Sequence, residues 1–189
     1  MARSRLDRSG RFLLHTLALP FALPMLATLL LVLLVGNRFP RDIAPGSSLA
    51  LPGLLAAVAV ALVILRRVTQ DWPQPEARKP ALLFTGLASL MAWPAWTVGV
   101  LPSVNGLALG ELNYATMQLR GLDMTYGRKG RTTYYWAQLE PQYPASAAGE
   151  GRYLIPFELH ETWSRTRPAA VEVGHARGLL GAEVVRDFR

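Results

Sequence analysis

The sequence predicts an α-helical transmembrane region of three helices followed by a small, β-rich, mostly antiparallel extramembrane domain, and three observations carry that expectation. Residues 12–36, 43–65 and 80–110 hold no Asp, Glu, Lys or Arg. Cationic side chains gather before the first of these runs and between the second and third. Beyond residue 102, apolar and polar residues alternate with the period of a half-buried strand.

Each uncharged run is long enough for a crossing. About 20 residues rising about 1.5 Å each span a hydrocarbon core of roughly 30 Å, where a charged side chain costs about 3 kcal/mol. The expected parts are a basic tail over 1–11, a membrane domain over 12–102 with helices near 12–36, 46–66 and 81–101, and a β-rich domain over 103–189. Pro20 and Pro24 are expected to kink the first helix and Pro94 the third, which Pro102 closes. The first run is longer than a signal-peptide core and no small-x-small cleavage site follows it, so it reads as a retained anchor. Residues 37–48, rich in Pro, Gly and Ser, read as an external turn. Gly53, Ala57 and Ala61 recur at four-residue spacing, a helix-packing face that a neighbouring backbone can approach, within the bundle or in a homo-oligomer.

Charge decides orientation and removes one class of partner. The chain carries a net +7, yet the first 102 residues hold ten basic and four acidic side chains and the remainder ten and nine. The basicity belongs to the membrane half, which argues against a nucleic-acid partner. Arg3, Arg5, Arg8 and Arg11 precede the first run; Arg66, Arg67, Arg78 and Lys79 separate the second from the third; the intervening loop has only Arg38 and Arg41. The positive-inside rule then puts the N-terminus and second loop in the cytoplasm and the C-terminal domain outside. Arg greatly outnumbers Lys, as in GC-rich bacterial genes, so the expected location is a bacterial inner membrane with a periplasmic domain. With no cysteine, disulfides, thiolate nucleophiles and Cys-ligated metal are excluded.

The β-rich part reads in order. Met117 and Leu119 alternate with polar neighbours, the phase slips at Gly121, and Leu122, Met124 and Tyr126 resume it, which predicts one long strand with a bulge at the glycine. Residues 127–130 make a turn, and Thr132, Thr133, Tyr134, Tyr135 and Trp136 start the second strand of a hairpin. Tyr153, Ile155, Phe157 and Leu159 alternate in a third strand that Pro156 confines to an edge. A helical turn or two is expected over 160–167, then short strands around Val171–Val173 and over 182–188. Five short strands suggest a small barrel or curved sheet.

No motif specifies a reaction. Glu158 and His160 would share a face of the third strand, with His175 nearby, and carboxylate plus imidazole can hold zinc or manganese. Ser164, His160 or His175, and Asp187 supply the residue types of a hydrolase triad, but no G-x-S-x-G elbow frames a serine. No cofactor is implied. Arg128, Lys129 and Arg131 stand beside Tyr134, Tyr135 and Trp136, and Trp163 sits near Arg165 and Arg167. Aromatics with Arg dominate binding hot spots. The leading expectation is a non-enzymatic protein that presents a β domain to a protein partner, as an accessory subunit of an envelope or secretion complex or as an immunity-type protein. The alternative is a membrane-bound hydrolase or metal-dependent enzyme using Glu158, His160 and His175.

Overall fold

The computed structural model describes residues 10–34, 41–71, 75–127, 133–143 and 147–189. They separate into two compact units, one falling within Met1–Phe39 and Leu49–Val104, the other within Pro40–Ser48 and Asn105–Arg189.

Among the described residues, three helices are long and apolar enough to cross a membrane: α1 (Gly10–Leu34), α2 (Ala50–Asp71) and α3 (Arg78–Asn105). Their lengths of 25, 22 and 28 residues exceed what a crossing needs. Large apolar side chains such as Leu33, Leu62, Leu82 and Met91 point outward, the reverse of a water-soluble bundle. α3 does not close at Pro102 as its sequence suggested. A widened π-helical turn over Ala95–Val100 comes just before that proline and the helix runs on to Asn105. Proline lacks an N–H and its ring presses on the carbonyl four residues back, and a wider turn makes room for it. The same device, Leu14–Ala18, precedes Pro20 in α1.

Small residues set the spacing inside the bundle. Gly53 and Ala57 are buried and Ala61 is half-buried, in line with buried Ile64 and Val68 farther along α2. A methyl group at Gly53 would lie 2.1 Å from the Thr97 hydroxyl oxygen on α3. Just beside it, Trp93 donates its indole N–H to the Ala50 carbonyl at 2.8 Å.

Among the described residues, the second unit is a curled, antiparallel five-stranded sheet with one helix. Its elements are β1 (Leu109–Tyr126), β2 (Thr133–Pro141), β3 (Gly151–Ile155), α4 (Phe157–Thr166), β4 (Ala170–Gly178) and β5 (Glu183–Phe188). The order across the sheet is β3-β2-β1-β4-β5. β1 is the central strand: its first half pairs with β4, its second with β2, and the β1–β2 register slips between Leu119 and Gly121. The expected bulge is therefore present. β1 begins at Leu109, well before the alternation that opens at Met117, because its early residues are held by β4, a partner too distant in sequence for local alternation to reveal.

Two elements differ from the local pattern. The third strand stops at Ile155, on the sheet edge as expected, and Pro156 adopts φ −60° and ψ 154° before α4 begins at Phe157. Leu159 and Trp163, four apart, lie on one helical face and pack into the core; Glu158 in the first turn and Arg165 in the last suit the helix dipole. The other difference lies in the supposed external turn. Residues 42–44 run antiparallel beside β5, with Ile43 opposite Val184. The Val185 N–H donates to the Asp42 carbonyl at 2.8 Å, and the Ala44 N–H to the Glu183 carbonyl at 2.9 Å. An exposed sheet edge invites unwanted pairing, and this segment covers one.

The core holds Met117, Leu139, Tyr153, Ile155, Trp163, Val171 and Val173. Phe188 of β5 meets Tyr153 of β3 edge-on at 6.4 Å and Trp163 of α4 at 6.0 Å. Contact between residues of the two outermost strands shows how strongly the sheet is curled.

Candidate functional site

The curl leaves a cleft of about 1000 Å³ between the two outer strands. One wall is formed by the start of β2, the end of β3 and the first turn of α4; the other by Asp42 and residues 185–188 of β5. Alternation along β2 turns Ala137 and Leu139 into the core, Tyr135 toward it and Tyr134 outward. Pro156 then swings the chain so that Phe157 meets the Tyr135 ring at 5.2 Å, with His160 5.0 Å from the same ring. The lining is apolar at Tyr135, Leu154, Phe157, Leu159, Val185 and Phe188 and charged at Asp42, Glu158, Arg186 and Asp187. Apolar walls with a few polar groups are the composition of binding sites.

The residues singled out in the sequence fall in different places. Tyr134 and Tyr135 line the cleft. Trp136 lies on the outer face of the sheet under the Arg152 guanidinium, 5.0 Å from its ring, and its buried indole N–H has no hydrogen-bond partner among the described residues. Trp163 is 5% exposed and belongs to the core, and it also lines a second depression with Arg120 and Arg167. Arg165 pairs with Glu161 one turn earlier. Arg128, Lys129 and Arg131 lie outside the described residues.

The acid and imidazole groups do not assemble. Glu158 and His160 stand on α4 rather than on a strand, where a two-residue step is about 200° of rotation and directs them to different faces. His175 is a buried β4 residue whose Nδ1 lies 2.9 Å from a Glu183 carboxylate oxygen. Among the described residues, no three of His, Asp and Glu come within reach of one metal ion. The Ser164 hydroxyl donates to its own helix at the His160 carbonyl, 2.7 Å away. The Asp187 carboxylate accepts from the Tyr114 hydroxyl at 3.1 Å.

Asp187 anchors the second wall. Arg189 lies 4.2 Å over the Tyr114 ring and 3.7 Å from the same carboxylate. Partial desolvation, then the hydrogen bond to Asp187, raises the Tyr114 pKa, so its hydroxyl keeps its proton. A methyl group at Gly174 would lie 1.7 Å from Asp187 Oδ1, so β4 has a glycine where the carboxylate folds over the strand. Opposite, burial pushes the Tyr153 hydroxyl up to about 12, and it donates to the Gly149 carbonyl at 2.7 Å.

Sequence reasoning missed Asn105 and Asp42. Asn105 is fully buried: its amide N–H₂ donates to the Ala182 carbonyl at 3.0 Å and its carbonyl accepts from the Leu180 N–H at 2.9 Å. An uncharged polar residue at the end of an apolar run was the one available signal. Asp42 carried none, because its place beside β5 depends on a pairing across most of the chain. No protein-family model, curated protein or solved structure matches this chain.

Proposed function

We propose that this chain is an integral membrane protein whose β-rich domain is a binding module for a protein partner, with the cleft between β3, α4 and β5 as the contact site. The cleft itself carries the reading: an apolar, aromatic-lined depression of about 1000 Å³ in a domain that follows three helices of membrane-crossing length. Arg66, Arg67, Arg78 and Lys79 flank the α2–α3 connection, which supports a cytoplasmic location for that loop and a periplasmic one for the β domain of a bacterial inner-membrane protein. The partner belongs to the envelope, and the protein serves it as an accessory subunit or neutralises it as an immunity-type protein.

Two measurements test this. A periplasm-active reporter fused after Arg189 is expected to be active; activity of a cytoplasm-dependent reporter alone inverts the orientation. A photo-crosslinking amino acid at Phe157, with Trp136 on the outer face as control position, is expected to yield one discrete protein adduct in native membranes. Equal labelling from both positions, or none from Phe157, removes the cleft as the contact site.

A further inference from the structure

Resting on the binding-module reading, we infer that the cleft takes an extended peptide strand that pairs with the free edge of β3 and carries a cationic side chain. Hydrogen-bonding capacity supports the backbone part. Among the described residues β3 pairs with β2 on one side and with no strand on the other. Thr133 and Tyr134, which pair with β1, extend past the end of β3 and have no strand opposite them. β5 is treated differently. Residues 42–44 cover its edge as far as Val185, the Pro45 carbonyl then accepts from the Gly149 N–H at 2.8 Å just before β3, and the cleft opens away from Pro45, beside the end of β3. The fold thus already uses strand addition at one margin of the cleft; at the other, Pro45 covers the start of β3 at Gly151, and the later residues of β3 are left without a partner strand among the described residues. A strand laid on β3 would satisfy its edge groups and direct alternate side chains against Tyr135, Phe157 and Phe188.

Charge supports the rest. Residues 103–189 carry ten basic and nine acidic side chains, yet the charged residues lining the cleft are three carboxylates, Asp42, Glu158 and Asp187, the last paired with Arg189, against one guanidinium, Arg186. Asp42 and Glu158 are exposed, free to meet a Lys or Arg of the occupant. An opening flanked by exposed carboxylates on a domain that is otherwise nearly balanced in charge selects a cationic segment over an acidic one.

The test uses the full chain in detergent or nanodiscs and a fluorescent library of alternating peptides, Val or Phe at one parity and Lys, Ser or Glu at the other. Binding is read by anisotropy. Lys-containing members with one Phe are expected to bind, and N-methylation of alternate amides is expected to weaken them about tenfold or more. Asp42→Asn with Glu158→Gln is expected to cost the Lys peptides about tenfold and the Ser peptides nothing. Equal binding of the N-methylated peptide overturns strand addition and points to a pocket for side chains or a small amphiphile. Preference for Glu, or none, overturns the charge assignment. Self-association that is lost in the double variant means a second copy occupies the cleft and overturns the inference as stated. If no library member binds, strand recognition fails, while the Phe157 adduct decides separately whether the cleft binds a protein at all.

Discussion

Asn105 shows how much one side chain can hold. It bonds both ends of the turn between β4 and β5, and no water reaches it. Asn105→Ala strands a buried N–H and a buried carbonyl, and chemical denaturation followed by tryptophan fluorescence is expected to register a loss of about 2 kcal/mol. Asn105→Asp would set a buried carboxylate against the Ala182 carbonyl and is expected to cost more than Asn105→Ala at neutral pH. Tyr153 predicts a pH dependence. Its folded value of about 12 stands above the ordinary 10.0, so the folded state holds the proton more tightly than the unfolded. That contribution is complete below pH 10 and declines as pH rises toward 12. The slope of stability against pH in this window should be shallower in Tyr153→Phe; identical slopes would mean that the hydroxyl is not desolvated in the fold.

At the scale of elements, two indoles that look alike in sequence part company. Trp163 is pinned in the core by α4, whereas Trp136 is on the solvent side of β2. Trp163→Ala is expected to destabilise the β domain by about 4 kcal/mol, and Trp136→Ala by about 1 kcal/mol; similar losses from both would contradict the placement of α4. The bulge in β1 was legible because Gly121 marks a phase slip in an otherwise alternating run, a purely local signal. α4 was less so. Phe157 and Leu159 continue the alternation of β3, and only the four-residue step from Leu159 to Trp163 betrays a helix.

At the scale of the whole molecule, the β-rich unit is discontinuous in sequence: residues 42–44, which precede α2, complete its edge. A fragment of residues 105–189 alone leaves β5 open, and open edges pair with one another. Light scattering after size-exclusion chromatography is expected to find that fragment associated, and to find it monomeric once residues 41–48 are joined to it through a flexible linker. A stable, monomeric 105–189 fragment would show that the edge needs no cover. The exposed ion pairs, Arg120 with Glu140 at 2.5 Å and Arg152 with Asp123 at 2.8 Å, are each worth less than about 1 kcal/mol and do not substitute for that cover.

What the sequence determined by itself was everything that depends on local sums: three uncharged runs of membrane-crossing length, the asymmetry of positive charge, the strand alternation and the slip at Gly121. Each follows from the cost of charge in hydrocarbon or from the two-residue period of a strand, and neither needs a partner. The tertiary structure decided that β1 lies at the centre of the sheet, that Asp42 and its neighbours join β5, that Trp163 is buried, and that Tyr135, Phe157 and Asp187 border one cleft. Those facts rest on pairings between residues far apart in the chain, such as Ile43 with Val184. Their stability comes from surface buried jointly by both partners, a quantity that neither segment carries alone.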